Sequence, residues 1–344
     1  MSDALSPNRL GQANVTGDTD ALFLKVFSNE ILATFEKTQI MKPLHSIRTI
    51  SSGKSATFPT IGTASSLYHT PGEDIMSKEG ANATTSKYNT KFNMNEVIIN
   101  IDKMLVSSTF IPNIDELKNH FDVRGQFSKE LGIALAQRFD RAVLKTLAAG
   151  SKQNGKSGQP NGIEVTGQNT GTGTGLVSAL TEVAQKLDEN DVPDDGTRFA
   201  ILKPEQYYKL VGENNIAINR DFGGVGSVAT GKIPQVAGIN IYKSNNLKAV
   251  LVASGSQNAD DANAKNHPFD NDASDGLSGG YNAALNDEEF LAGHPSGVGT
   301  VKLLDLATES SYSIQHQGTL MVAKYAMGHG VLRPGACVRV NQLT

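Results

Sequence analysis

The chain has 344 residues, with 31 basic and 35 acidic side chains and a formal net charge of -4. That balance excludes a strongly basic nucleic-acid binder, because neutralising phosphates needs a clear Lys/Arg excess or a concentrated basic patch. The single cysteine, Cys337, excludes an internal disulfide framework and a cysteine-based zinc site, and it fits a reducing compartment. At roughly 150 residues per domain the length suggests about two domains. No apolar run approaches the roughly 20 residues that span a bilayer. The N-terminus is polar and lacks the apolar core of a signal peptide, so a soluble, non-exported chain is expected.

Residues 1–18 read as a flexible arm without apolar periodicity, too polar to offset its own ordering entropy. Asp18 or Thr19 then caps a helix whose Leu22, Phe23, Val26, Phe27, Ile31 and Phe35 form one apolar face. That face packs either on the chain's own core or on a neighbouring subunit. Residues 45–63 look extended, with Pro59 arguing for an edge position. Residues 70–90 form a turn-rich polar tip, and the chain returns through Val97, Ile99 and Ile101, which alternate with polar neighbours. Together 48–108 reads as a long two-stranded excursion. Such a ribbon is marginal alone in water, so it implies a surface to lie on.

The strongest helix signal covers 113–149. Asn113 and Glu116 resemble a capping box, and Leu117, Phe121, Phe127, Leu131, Leu135, Phe139, Val143 and Leu147 recur mostly every four residues. Gly150 is placed to supply a left-handed C-cap. This element predicts a spine about 50 Å long. Residues 150–175 read as a glycine-rich loop with a short strand at 163–165, and a helix follows over 176–189. The Asp191–Gly196 turn suggests a domain boundary. Beyond it the pattern predicts a buried strand at 198–202, a helix opened by Pro204, and strands at 236–242 and 249–252. Strand-like sequence also occupies 298–306, 319–327 and 336–340, whereas 212–231 and the Asp/Asn-rich 254–282 read as loops.

No motif assembles a catalytic site. Ser52-Gly53-Lys54-Ser55 has the end of a phosphate loop, but the glycine needed five positions before Gly53 is Arg48. Gly224-Val225-Gly226-Ser227-Val228-Ala229 lacks the preceding apolar strand of a dinucleotide site. Asp221-Phe222-Gly223 has no accompanying kinase motifs. Asp270-Asn271-Asp272 hints at a calcium loop, but Asp275 and Tyr281 stand where an EF-hand needs Gly and Glu. The seven histidines are scattered without metal-helix spacing, and Cys337 in its apolar strand is expected to be a buried, inert thiol. No catalytic residue, cofactor or metal ligand is therefore assigned.

Four blocks of sequence are similar to one family. Ala21-Leu22-Phe23-Leu24-Lys25-Val26-Phe27 resembles the N-terminal segment of major capsid proteins from short-tailed, T-seven-like bacteriophages. So do Ile50-Ser51-Ser52-Gly53-Lys54-Ser55-Ala56-Thr57-Phe58-Pro59, continuing to Pro71-Gly72-Glu73, and Gly297-Val298-Gly299-Thr300-Val301-Lys302-Leu303. Ala323-Lys324-Tyr325-Ala326-Met327-Gly328-His329-Gly330, continuing to Leu332-Arg333-Pro334, resembles it most clearly. The blocks stand in family order and bracket nearly the whole chain, whereas 150–175 and 254–295 match poorly.

The resemblance implies an α+β, Hong Kong 97-type phage capsid fold. It assigns 1–47 to an N-terminal arm and helix, 48–97 to an extended E-loop, and 98–190 to a peripheral domain with the 113–149 spine. It assigns 191–317 and 331–344 to an axial domain, with 318–330 as a returning peripheral strand. The implied function is a shell of hexamers and pentamers assembled in a bacterial cytoplasm on a scaffolding protein around a portal protein. That shell would expand as double-stranded DNA enters, touching it loosely and non-specifically, with no membrane involved. Candidate contacts between subunits are Phe23, Phe27 and Ile31 on the arm helix, and Arg48, Lys54, Phe58, Tyr68, Glu73, Asp74, Glu79 and Lys91 on the ribbon. Read alone, those charges are ordinary solvated surface. Some members of the fold cross-link Lys to Asn, and no such site is legible here. An encapsulin-type cellular compartment shares the fold and is the alternative.

Overall fold

The computed structural model describes residues 40–61, 66–76, 88, 94–101, 104–114, 123–155, 158–168, 170–212, 235–247 and 288–342. The expected arm and helix of 1–39, the strand at 249–252, the 254–282 insertion and most of the 212–231 loop lie outside the described residues. In chain order the elements are β1 (Ser46–Thr49), β2 (Ser55–Ile61), β3 (Met94–Asn100), β4 (Leu105–Pro112), α1 (Val123–Ser151), β5 (Ile163–Gln168) and α2 (Gly173–Glu189). They continue with β6 (Phe199–Leu202), α3 (Pro204–Gly212), β7 (Gln235–Val236), β8 (Ile239–Lys243), β9 (Glu288–Gly293), β10 (Val298–Ser313), β11 (Gly318–Val331) and β12 (Cys337–Gln342).

Helix α1 follows its apolar spacing. Leu135, Phe139, Val143 and Leu147 are buried at four-residue intervals, and the wider set of the last turns adds Ala142, Leu144 and Ala148. Its 29 residues make a rod of about 44 Å. Gly150 is not the left-handed cap expected of it. It lies within the helix, where a Cβ would sit 2.8 Å from Cys337 Sγ and 3.1 Å from Val331. Close approach of α1 to the strands, not turn geometry, requires glycine there.

Two sheets share this spine. A four-stranded sheet has the order β1-β10-β11-β4, and a six-stranded sheet the order β5-β12-β9-β6-β8-β7. Helix α1 packs against β10 and β11 of the first and against β9 and β12 of the second. One continuous apolar core results, running from Phe139 and Met327 to Phe199, Phe290 and Val340. Strand β6 is buried at all four positions and pairs parallel with β8 across the α3 crossover. Such two-sided burial explains its unbroken Phe-Ala-Ile-Leu run.

The sheets divide the chain differently from the segments expected above. Strand β5, expected with the 98–190 segment, pairs parallel with the C-terminal β12. Helix α2 covers that sheet with Leu176, Leu180, Val183 and Leu187. It starts at Gly173, earlier than expected, because Thr172 accepts the Gly175 amide at 3.2 Å as an N-cap. Strand β10, expected with the 191–317 segment, pairs instead with β11. The 191–196 turn is bound to the end of α2. Arg198, buried to 3% side-chain exposure, ties it down by donating to Asp188 Oδ1 at 2.6 Å, Val192 O at 2.5 Å and Pro193 O at 3.1 Å.

Strands β2 and β3 form a separate antiparallel ribbon paired over seven residue pairs, from Ser55 with Asn100 to Ile61 with Met94. Pro59 lacks an amide donor and sits on this two-stranded ribbon opposite Glu96. The ribbon root crosses β11 at two glycines. A Cβ on Gly328 would lie 1.9 Å from the Asn100 carbonyl oxygen, and one on Gly330 would lie 2.7 Å from the Ile99 side chain. Ile99, Ala56 and Val301 close a small second core there.

These two glycines predict unequal penalties. Gly330→Ala meets a side chain that can swing and costs about 1–3 kcal/mol, whereas Gly328→Ala meets backbone and costs more. Urea unfolding measures the difference. Amide exchange at Ile101, whose N–H donates to Lys54 O at 2.8 Å, reports whether the root lifts in each variant.

Candidate assembly surfaces

Strand β11 presents two different faces, because side chains alternate along a strand. Tyr325, Met327 and His329 face α1, as the Phe139–His329 ring contact at 5.3 Å shows. Gly328 and Gly330 face the ribbon. The ribbon therefore leaves the sheet on the side opposite the spine helix.

The root carries three of the expected contact residues. Arg48 Nη1 donates to Thr57 O at 2.9 Å, and its guanidinium lies 5.5 Å above the Phe58 ring. Within the chain both therefore brace β1 against β2. Lys54 follows Gly53, whose φ of +119° turns the chain between those strands. Its backbone carbonyl holds Ile101, and its side chain is exposed. This is an extended turn, not a phosphate loop between strand and helix.

At the far end, Tyr68, Glu73 and Asp74 gather with His69, Thr70 and Tyr88. Glu73 N donates to Thr70 O at 3.1 Å. The Tyr88 hydroxyl donates to Glu73 Oε2, and His69 Nε2 lies 2.6 Å from Glu73 O. Met76 N donates to Asp74 Oδ1 at 3.0 Å. The tip is thus a folded turn. Its apolar side chains point outward: Leu67 is 60% exposed, Tyr68 102%, Ile75 61% and Met76 64%. Phe23, Phe27, Ile31, Glu79 and Lys91 lie outside the described residues.

A buried polar cluster escaped the sequence reading. Phe139 is flanked by His45 at 5.6 Å and His329 at 5.3 Å between ring centroids. His45 Nδ1 bonds Met41 O at 2.6 Å, and His329 Nδ1 bonds Thr300 Oγ1 at 2.8 Å. One residue on, Asp140 accepts the amides of Ile40 at 3.0 Å and Met41 at 3.2 Å. It pins the point where the N-terminal segment meets the spine. Burial pushes its carboxyl up to about 6, against the opposing pull of those amides and of Asn246. Burial lowers His45, and burial with the charge of His45 lowers His329 to about 3. These residues are separated by about a hundred positions or more, so only the fold could join them.

One arrangement imitates a catalytic triad. His294 Nδ1 lies 2.8 Å from Ser296 Oγ, and its Nε2 lies 3.5 Å from Asp195 Oδ1. It is a turn. Ser296 N also donates to His294 Nδ1 at 3.2 Å. The Gly297 amide, the natural oxyanion donor beside such a serine, is spent on His294 O at 2.9 Å. Thr197 bonds hold Asp195 down at about 2. Cys337 is buried and its thiol is pushed up to about 12 by burial. Among the described residues no group of three or more His, Cys, Asp or Glu could hold a metal ion. No helix among them is long and apolar enough to cross a membrane. The dinucleotide-like, kinase-like and calcium-like motifs of 221–229 and 270–281 lie outside the described residues.

A family model described as "Gp10A-like: Major capsid protein" matches residues 57–341. The chain is 33% identical over 342 residues to the major capsid protein of Enterobacteria phage T3, covering 95% of this chain and 93% of that one. It is 33% identical over 336 residues to the major capsid protein of Escherichia phage T7, covering 93% and 91%. The capsid structure of cyanophage P-SCSP1u superimposes with a TM-score of 0.74 at 36% identity, covering 98% and 99% of the two chains. The mature capsid subunit of bacteriophage PhiM1 shares the fold with a TM-score of 0.70 at 15% identity, covering 97% of each chain.

The buried cluster predicts two opposing pH slopes. With His45 and His329 lowered, the folded chain binds fewer protons than the unfolded one, so their stabilisation is present above about 6.5 and is lost on acidification. Asp140 is raised from 3.8 to about 6, so its contribution runs the other way and stability is gained as pH falls through that window. His329→Gln should therefore flatten the loss of stability between about pH 6.5 and pH 4, and Asp140→Asn should steepen it. Urea unfolding across that range reads both slopes.

Proposed function

From the premise that the chain belongs to the Gp10A-like family of major capsid proteins, we propose that it closes its shell by lapping ribbon and N-terminal segment onto neighbouring copies. It is a major capsid protein of a tailed phage, its place is the virion capsid, and its fold is the α+β Hong Kong 97-type fold of phage capsids. Assembly into a shell of many copies follows from that role.

The subunits group as hexamers and pentamers, on a scaffolding protein and around a portal protein, and the shell expands as DNA is packaged. In this reading the β2–β3 ribbon is the E-loop. Helix α1 with the four-stranded sheet forms the peripheral part, and the six-stranded sheet forms the axial part. Arg48, Lys54, Phe58, Tyr68, Glu73, Asp74, Glu79 and Lys91 lie on or beside the lapping surface, and Phe23, Phe27 and Ile31 belong to the arm. The role is structural, without catalysis. A formal charge of -4 suits loose contact with DNA, because tightly held DNA could not slide during packaging and ejection.

The observation that carries this reading is the ribbon tip. A folded turn on a two-stranded arm displays Leu67, Tyr68, Ile75 and Met76 at 60% to 102% exposure. Clustered exposed apolar groups mark an interaction site. Each contact can be weak, because a closed shell sums many.

Co-expression with a scaffolding protein from a short-tailed phage, followed by negative-stain microscopy and sedimentation, tests the reading. Closed icosahedral shells that require the scaffold are expected. Shells that form as readily without it would remove the scaffolded route and favour a compartment-like assembly. A stable monomer under all conditions would overturn assembly altogether.

A further inference from the structure

One carboxyl on α1 joins two stretches of chain that belong to different sheets. Asp140 Oδ2 accepts the Ile40 amide at 3.0 Å, and its Oδ1 accepts the Met41 amide at 3.2 Å. The Asn246 side-chain amide donates to the same carboxyl. Asp140 and Asn246 are 1% and 2% exposed, so water does not compete for these bonds. Asn246 Oδ1 has no partner among the described residues.

The partners of Asp140 are fixed to different sheets. On one side, Met41 O accepts the Leu44 amide at 3.0 Å and lies 2.6 Å from His45 Nδ1. Residues 40–45 thus form one closed turn. It runs directly into β1, which pairs with β10 at the edge of the four-stranded sheet. On the other side, the Asn246 amide donates to Ser244 Oγ at 3.2 Å, and the Ser244 amide donates to Leu202 O at 3.0 Å. That turn follows β8 and is tied to β6 of the six-stranded sheet.

A carboxyl is planar, so its two oxygens cannot be aimed independently. A buried one also depends on its donors to stay ionised. Burial already raises Asp140 to about 6, with its three donors pulling the other way. Nearby His45 and His329 are kept neutral by burial and supply no compensating charge. Loss of any one donor moves the carboxyl further towards protonation. A protonated carboxyl keeps only one bare oxygen for two amides.

We propose that Asp140 is a coupling joint, whose single carboxyl makes the Ile40–Met41 entry and the Ser244–Asn246 turn hold or loosen together. The N-terminal side of the four-stranded sheet and the β8 end of the six-stranded sheet then respond as a pair. This coupling belongs to the single chain and stands or falls independently of the shell reading above.

Amide exchange on the full chain, resolved by residue with fragmentation mass spectrometry, tests the joint. Asn246→Ala should speed exchange at Ile40 and Met41 roughly tenfold, the scale of one lost buried hydrogen bond. The Ile101 amide, bonded to Lys54 O on the ribbon root, should keep its rate. Val183→Ala cuts the same core on α2 but leaves Asp140 alone, and it should not favour Ile40 and Met41 over Ile101. Unchanged exchange at Ile40 and Met41 in Asn246→Ala would overturn the proposal. So would a rise shared equally by Ile101, or one matched by Val183→Ala, because either means general loosening.

Coupling must also run in reverse. Ile40→Pro removes one donor and should speed exchange at Ser244 and Asn246, and an unchanged rate there would overturn the proposal even if Asn246→Ala fails to fold. Urea unfolding of Asp140→Asn, Asn246→Ala and the double variant completes a cycle. The pair should cost clearly less than the sum of the singles, since both remove the same joint, and strict additivity would overturn it.

Discussion

The packing of α1 against two sheets at once is the constraint from which the rest of the molecule follows. A helix that buried one stripe on one sheet would leave the other sheet to find a core of its own. Here Leu135 and Phe139 face the four-stranded sheet, while Leu144, Leu147 and Ala148 join the same core as the strands of the six-stranded one. Packing this close demands small residues where backbones meet. Gly150 on α1, with Gly293 and Gly297 near β9 and β10, stands around Ala336 and Cys337 with less than a methyl group of spare room. The sheets are thereby held by one core.

The second constraint is the alternation along β11. One set of its residues fills the space under α1, and the intervening glycines give the ribbon a flat place to cross. The ribbon, whose tip side chains are exposed, is thus rooted on β11, the strand packed under α1. Arg48 stacked on Phe58, with its bond to Thr57 O, adds a polar brace to that root.

Buried ionisable groups mark where segments distant in sequence are joined. Asp140 receives the chain as it leaves the N-terminal segment, and Arg198 closes the turn between α2 and β6. Charges in such places are strongly destabilising when left unpaired, so they favour one arrangement of the segments over close alternatives. His45 and His329 around Phe139 are kept neutral by the same burial that raises Asp140. The junction therefore carries opposing proton linkages around the Phe139–Asp140 turn of α1.

Much of the local structure was legible in the sequence, because it depends on neighbours a few residues away. The four-residue spacing from Leu131 to Leu147 specified the described part of the spine. The alternation of Val97, Ile99 and Ile101 specified the inner side of the ribbon, and the Pro204 start specified α3. Four sequence blocks pointed to the family before any contact was known, since each keeps a local pattern. What only the tertiary structure decided was pairing between distant segments. That β5 lies beside β12, that Gly150 serves packing instead of a cap, and that His45, Phe139 and His329 meet all depend on contacts across more than ninety residues. No periodicity encodes such contacts. They are selected by which faces can be buried together once the helices and strands exist, and the same selection leaves the ribbon tip outside.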